Sequence, residues 1–411
     1  MRFITQYKGL PKQIYVLFVA RTINSLGFFI FPFMTLFLSS RIGFTEKDIG
    51  VFLFLASVVY VPGAIIGGRL ADYYSRKYTY IFATLAANII FFICGFLGNS
   101  ILIPILLIPA FFFNSIASTG SSAMLMDLTD PTNRQESFSI MYLGMNIGVA
   151  IGPLIAGLLF ENYTSWIFWG DALSGILAIC LVLAFIKDTK PTHEDYEKII
   201  NSGRKDEAAV DGSIIKILFD KPILLIFVFL CSILSFAYSQ TGFTLPLQLS
   251  QDFGIGTGAR YFGILMSVNG LIVVLFTPII VAVTKYMNPI INLVMASFCY
   301  MLGFGLYAYT KNLNAFIILV VVWTIGEVLS ATNTGVYIAN RTPISHRARL
   351  QAIYEIIQGT GRAIGPMIIG WYLMGNTIEA SWLLIGGLCL LACLAFSALL
   401  LLEKAVNKTN K

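Results

Sequence analysis

The chain has 411 residues, of which 57% are hydrophobic and only 12% charged, and its formal net charge is +6. A soluble domain has about 25% charged residues, so the composition excludes a soluble globular protein and a disordered one. What is left is a polytopic membrane protein, and the basic excess reads as a side-of-membrane bias, not as a nucleic-acid footprint.

Apolar segments near the roughly 20 residues that a helix needs to cross the hydrocarbon core are predicted at 14–38, 49–68, 78–98, 101–125, 138–160, 166–186, 222–248, 259–283, 289–309, 314–338, 350–373 and 381–402. The first has no small-residue cleavage site behind it and reads as a retained span. The longest polar stretch, 187–221, falls mid-chain. It divides the protein into an N-terminal six-helix bundle over 1–186, a cytoplasmic linker over 187–221 and a C-terminal six-helix bundle over 222–411. In the linker, Ile214, Ile215, Ile217, Leu218 and Phe219 predict an amphipathic helix along the membrane surface.

Orientation follows from Lys and Arg. Of 27 such residues, Arg41, Lys47, Arg260 and Lys311 fall in one set of connections, Arg21 and Arg362 fall within spans, and all the others fall in the opposite set or the termini. Both termini are therefore expected in the cytoplasm. Trp166, Trp169, Trp371 and Trp382 fall at predicted external span ends, as an interfacial aromatic belt requires.

In span one, Arg21 and Asn24 lie in the cytoplasmic half; Arg21 either snorkels to the interface or faces a cavity. The connection after span two reads Gly68-Arg69-Leu70-Ala71-Asp72-Tyr73-Tyr74-Ser75-Arg76-Lys77. Further on, Gly148–Gly157 reads GVAIGPLIAG and Gly361–Gly370 reads GRAIGPMIIG, and the same offset carries Arg134 onto Arg347. Two similar halves in an all-membrane chain are the mark of secondary transporters, where one half rocks against the other.

These motifs carry a resemblance. The loop after span two looks like the G-x-L-a-D-r-x-G-R-K motif of the major facilitator superfamily. The paired glycine–proline segments in spans five and eleven resemble those of its drug:proton antiporter branch. The resemblance covers essentially the whole chain and implies an all-α fold of twelve transmembrane helices in two pseudo-symmetric six-helix bundles. It further implies a latch formed by Gly68, Asp72, Arg76, Lys77 and Asp127. Asp72 would dock at the N-terminus of span eleven, where the helix dipole favours negative charge, and Arg76 would reach Asp127 at the end of span four. Ser75 departs from the usual glycine and is expected to reshape the turn.

Gly144, Gly148, Gly152 and Gly157 repeat along span five and Gly361, Gly365 and Gly370 along span eleven, permitting close helix packing, while Pro153 and Pro366 each remove an internal hydrogen bond. Asn114 in span four stands where the antiporter branch usually has an arginine implicated in proton coupling. The repeat carries Asn114 onto Glu327. An ionisable residue within a span is a functional hypothesis by default. Glu327, about 20 Å along span ten from Asn314, is the leading candidate. Burial disfavours a bare carboxylate, so an acid there can exchange a proton for a cationic ligand. Arg362 reaches a similar depth in span eleven and is the expected partner, in a coupling pair or in a bridge that only holds helices together. Glu355 and Gln358 share its face, and Glu355, nearer the cytoplasm, either releases protons there or pairs with a loop arginine. Asp171 near the external end of span six reads as an interfacial acid.

Polar strings in span four (Ser115, Ser118, Thr119, Ser121, Ser122) and span seven (Ser235, Tyr238, Ser239, Gln240, Thr241) either line a hydrated cavity or bond helix carbonyls. Phe111, Phe112, Phe113, Phe236 and Trp323 suit apolar or cationic ligands if they face such a cavity, and pack against lipid or core if they do not. All six cysteines lie in apolar spans and read as small buried hydrophobes. With no P-loop, H-E-x-x-H or G-x-S-x-G, no enzymatic activity, cofactor or metal is expected.

The function so implied is proton-coupled export of amphipathic or cationic small molecules by alternating access, from the plasma membrane, by a monomer whose partners are its substrate, protons and the bilayer. Arg21, Asn24, Asn114, Tyr238, Gln240, Trp323 and Gln358 are the expected cavity residues. The alternatives are a transporter of one specific solute (a sugar, peptide, metallophore or lipid headgroup) and a non-transporting membrane receptor.

Overall fold

The computed structural model describes residues 7–129, 133–189, 222–284, 286–341 and 347–409. Most of the predicted linker, with its amphipathic segment, lies outside them, as do both histidines. The described residues form helices and turns, with no strand among them. In chain order the helices are α1 (Lys12–Leu26), α2 (Ile30–Phe37), α3 (Glu46–Tyr73), α4 (Arg76–Cys94), α5 (Leu102–Asp127), α6 (Arg134–Leu159) and α7 (Ser165–Phe185). They continue with α8 (Pro222–Ser239), α9 (Thr244–Phe253), α10 (Ile255–Thr284), α11 (Pro289–Gly305), α12 (Leu313–Arg341), α13 (Arg347–Tyr372) and α14 (Ile378–Thr409).

Eleven candidate spans among the described residues are long and apolar enough to cross a membrane. The predicted eleventh span is α13, a helix of 26 residues, about 39 Å long at 1.5 Å per residue. The eleven do not include it, and the side chains of its first turns lie outside the described residues. Spans one and seven are each two helices: α1 and α2 meet at Gly27–Phe29, and α8 and α9 meet at a turn over Gln240–Phe243. Backbone groups freed at such breaks are tolerated in a bilayer only where protein re-satisfies them.

The chain forms two compact units. The first comprises residues 1–45, 51–198 and 249–274; the second comprises 46–50, 199–248 and 275–411. In the first, α1 and α2 pack on α6 and α7, and α4 packs on α5 and α7. In the second, α11 packs on α12 and α14, and α8 on α13 and α14.

The glycines explain why these neighbours approach so closely. A Cβ on Gly148 would lie 2.2 Å from Cβ of Ser25, and one on Gly152 would lie 3.1 Å from the Leu26 carbonyl, so α6 rests its backbone on α1. A Cβ on Gly361 would lie 2.4 Å from the Ser232 carbonyl and one on Gly365 2.2 Å from Ser239 Oγ, so α13 rests on α8. The far ends match as well. Gly157 meets the Ala259 carbonyl at 2.8 Å and Gly370 meets the Glu46 carbonyl at 2.5 Å. Gly263 meets the Pro153 carbonyl at 2.5 Å, and Gly50 meets that of Pro366 at 2.4 Å. The repeat read in the sequence is therefore a repeat of contacts.

Ser75 resolves the motif's departure from glycine. Its backbone is extended at φ −167° and ψ 135°, and its hydroxyl accepts from the Tyr78 amide at 3.0 Å, capping α4. Serine is among the preferred residues there, and no left-handed turn is needed. Among the described residues positive φ occurs only at Gly9, Gly43, Gly98 and Gly254.

The tryptophans expected in an interfacial belt differ in exposure. Trp166 and Trp371 are exposed, but Trp382 is fully buried and donates to Gln248 Oε1 at 2.7 Å. Its side chain belongs to the core of the second unit.

Candidate functional site

In the second unit, α11 and α12 are drawn together by two glycines. A Cβ on Gly303 would lie 2.6 Å from Trp323 Cβ, and one on Gly326 would lie 2.8 Å from Tyr300 Cδ1. Gly326 is followed by Glu327, so the close approach that locks α12 against α11 also sets the direction of the acid. Tyr238, on the last turn of α8, donates its hydroxyl to Glu327 Oε1 at 2.9 Å. The Tyr238 ring meets Trp323 edge-on, with centroids 6.0 Å apart.

Behind these groups is a bonded aromatic wall. Trp323 is fully buried, donates its indole N–H to the Tyr307 hydroxyl at 3.0 Å and stacks on Phe304 with centroids 5.7 Å apart. Phe304 stacks in turn on Trp382. Gln248, which accepts from Trp382, donates to the Tyr307 carbonyl at 3.0 Å. Buried polar groups that are all paired hold one geometry, so Tyr238 and Glu327 project from a fixed surface. A carboxylate that accepts from a phenol and sits beside aromatic faces can hold either a proton or a cation.

The structure separates the predicted coupling and cavity residues into four groups. Glu327, Tyr238 and Trp323 come together. Arg362 is exposed and lies with Glu327 within electrostatic range of Tyr300. The pair Glu327–Arg362 is not among the ion pairs of 4.0 Å or less formed by the described residues. The Gln358 side chain is half-buried on the same helix, and Glu355 lies outside the residues whose side chains are described.

Gln240 is placed differently. It is fully buried; its amide donates to the Phe236 carbonyl at 3.2 Å and accepts from Thr244 at 2.8 Å. It splices α8 to α9. Ser235, Ser239 and Thr241 likewise bond helix carbonyls, at 3.2, 2.7 and 2.8 Å, so most of this polar string stabilises a helix end.

In the first unit, Arg21 is half-buried, and Nη2 points to the Met145 sulfur at 3.9 Å. Asn24 is exposed and Asn114 half-buried. Ser115 of the span-four string ties α5 to α3 by donating to the Tyr60 carbonyl at 2.6 Å.

The loop motif forms a charged knot. Arg76 pairs with Asp72 on the preceding turn, and its Nε donates to Asp127 Oδ2 at 3.1 Å. Thr189 donates to the same Asp127 oxygen at 3.2 Å, and Lys77 Nζ reaches the Leu183 carbonyl at 3.0 Å. The ends of α3, α4, α5 and α7 are thus tied together. Asp72 is 67% exposed, whereas Arg76 and Asp127 are 12% and 16% exposed. Gly68 is not the tight glycine: its Cβ would find only Thr119 Cγ2, at 3.9 Å. The close approach falls on Gly67 and Gly63, whose Cβ atoms would lie 2.8 Å from Ile116 Cα and 2.7 Å from the Phe112 carbonyl.

Sequence reasoning missed Tyr307, Phe304 and Gln248, which read as ordinary span residues. A buried glutamine between aromatics was the available signal, since a buried amide demands partners. Among the described residues no cluster of histidine, cysteine or carboxylate could hold a metal ion.

A helical membrane protein with two repeated halves and an acid beside an aromatic wall in one of them has the architecture of a solute carrier. The chain belongs to the Major Facilitator Superfamily, whose model matches residues 17–334 and 294–411. It is a secondary transporter and not an enzyme. It is 25% identical over 363 residues to the uncharacterized MFS-type transporter YqjV of Bacillus subtilis strain 168, covering 87% of this chain and 81% of that one. It is 24% identical over 384 residues to a Na(+), Li(+), K(+)/H(+) antiporter of Planococcus maritimus, covering 86% and 88%. A class H tetracycline resistance protein of Pasteurella multocida is 30% identical over 141 residues, covering 34% and 35%. Among solved structures, a peptide transporter, POT, superposes with a TM-score of 0.75 at 16% identity, covering 98% and 96%. The nucleoside transporter NupG superposes at 0.73 and 16%, covering 95% and 99%.

Proposed function

We propose that the protein exports amphipathic or cationic small molecules in exchange for protons by alternating access, and that Glu327 carries the exchanged proton. The observation behind this reading is the Tyr238–Glu327 hydrogen bond at 2.9 Å beside the Trp323 face. A neutral acid keeps the tyrosine as a partner and leaves the aromatic surface apolar. A deprotonated one attracts an organic cation, and the half-buried Tyr238 ring adds its quadrupole. Competition between proton and cation for one carboxylate is the simplest form of antiport.

The reading includes twelve spans, with α13 as the eleventh, both termini in the cytoplasm, a plasma-membrane location and a monomeric carrier. The excess of Lys and Arg in one set of connections supports this orientation. Arg76, Asp127 and Asp72 act as a latch on the cytoplasmic face. The class H tetracycline resistance relative supports a drug-like substrate. A second reading makes the exchanged ion an alkali cation, and the Planococcus maritimus antiporter supports it.

Purified protein in proteoliposomes with an imposed pH gradient tests both. Organic-cation uptake that collapses with the gradient, and that falls at least tenfold in Glu327→Gln with the protein still folded, is the expected result. Proton flux driven by Na⁺ or K⁺ alone would favour the second reading. Wild-type uptake and pH dependence in Glu327→Gln would remove Glu327 from the mechanism.

A further inference from the structure

Asp171, expected to be an interfacial acid, is buried against protein. It is 7% exposed on α7, and its Oδ2 accepts from the Ile30 amide at 3.5 Å, with the Phe29 amide as a second backbone partner. Those amides belong to the first residues of α2, immediately past the break that divides span one. The carboxylate therefore caps the second half of a broken helix from a neighbouring helix.

Close packing builds this arrangement. A Cβ on Gly27, the residue ending α1, would lie 2.0 Å from Ser174 Oγ, and one on Gly170 would lie 2.6 Å from the Phe29 ring. Gly170, Asp171 and Ser174 share one face of α7, so the break and the acid meet at a helix crossing with no slack.

The charge balance around the acid is one-sided. The elements packed on α7 are α1, α2, α4 and α6. Their described charged or titratable side chains include Lys12, Tyr15 and Arg21 on α1, Arg76, Lys77, Tyr80 and Cys94 on α4, and Glu136 and Tyr142 on α6. α2 has none. None of these groups interacts with the Asp171 carboxyl, and Arg21 faces Met145. A buried carboxylate without a cation is expensive, and the Ile30 amide at 3.5 Å, the outer edge of hydrogen-bond geometry, offsets that only partly. A helix N-terminus favours the charged acid, and the apolar surroundings favour the neutral one. The two protonation states therefore differ in how strongly they hold α2. On the other side, a cleft of about 380 Å³, whose lining includes Arg41, Asn99, Glu161, Phe168 and Trp169, reaches to within one helical turn of the acid at Phe168.

We propose that Asp171 is a second proton-binding residue, and that its protonation releases the cap on α2 and so frees the break in span one to change angle. This rests on the proton-exchange reading and adds to it a proton site in the first unit. A ligand that binds two conformations unequally shifts their populations, and here the ligand is the proton.

The test uses the intact protein in nanodiscs without substrate. Amide exchange of residues 28–34, corrected for intrinsic rates, is followed across pH together with the pH-difference infrared spectrum. The wild type should show a step of at least tenfold in exchange and a carboxyl C=O band. Asp171→Asn should abolish both, with exchange held at the low-pH level. An unchanged band in Asp171→Asn, or flat exchange in the wild type, would overturn the proposal. Should Asp171→Asn fail to fold, the wild-type profile decides alone: a step supports the site and a flat line rejects it. Loss of pH-dependent transport alongside a normal Asp171 titration would instead defeat the proton-exchange reading and leave this site standing.

Discussion

The segments Gly148–Gly157 and Gly361–Gly370 do the same mechanical work and differ in their chemistry. Each rests its first glycines on the opening helix of its own half, at Ser25 in one case and Ser232 in the other, and ends against a carbonyl, Ala259 or Glu46. Backbone contact at that distance has no room for a side chain, so both copies keep glycine. Where side chains are free, the copies diverge. Val149 stands opposite Arg362 in the repeat, and Asn114 opposite Glu327. Symmetric packing carries an asymmetric charge distribution, with the Tyr238–Glu327 pair in the second unit and Asn114 at the position matching Glu327 in the first. Architecture is duplicated and chemistry is not.

The largest effect should come from the packing itself. Gly148→Ala and Gly361→Ala should each cost about 1–3 kcal/mol through overpacking, read as lower thermal stability in detergent. Valine at either place should leave no folded protein. Gly359→Ala, where nothing lies within 4 Å, is the control and should be neutral. If only one segment proves sensitive, their equivalence is broken.

The chemical side of the comparison is sharpened by a double-mutant cycle on Tyr238→Phe and Glu327→Gln. A hydrogen bond to a charged group contributes about 1.5–3 kcal/mol, and a coupling energy in that range is expected. Additive losses would mean that the tyrosine does not hold the acid in solution.

In the first unit the polar knot should rank by burial. Asp127→Asn leaves a shielded arginine short of a partner and should cost more than Asp72→Asn, which removes a 67% exposed charge and should cost less than about 1 kcal/mol. Urea unfolding of the two variants, and spin-label distances across the ends of α3 and α5, check the order. Equal losses would undo the assignment of Asp127 as the principal partner.

The smallest effect concerns Arg362. Its exposure predicts a coupling of about 0–1 kcal/mol with Glu327 in a Glu327→Ala/Arg362→Ala cycle. A coupling near 3–5 kcal/mol, the loss expected on breaking a buried pair, would place the two charges together in the resting protein and make the second unit's site an ion pair.

Much of this molecule was legible before any coordinate was known. Composition and helix-length apolar runs define a polytopic protein because a bilayer accepts no other backbone solution. The glycine–proline repeat marked two like halves because close helix contact depends on the residue alone. Arg76 and Asp127 could be connected through the resemblance of the loop to a family motif. What sequence could not supply was any distance between helices far apart in the chain. Gly67 and Gly68 together read as contact glycines, but the helix faces turn only Gly67, with Gly63, closely to α5. Gln240 looked like a cavity residue, whereas a helix break claims its amide. Asp171 looked interfacial by position, but two glycines bring a broken helix against it and bury it. Local periodicity sets which residues share a face. Which face meets which, and so whether a polar group finds water, an amide or a tyrosine, is decided only when the helices pack.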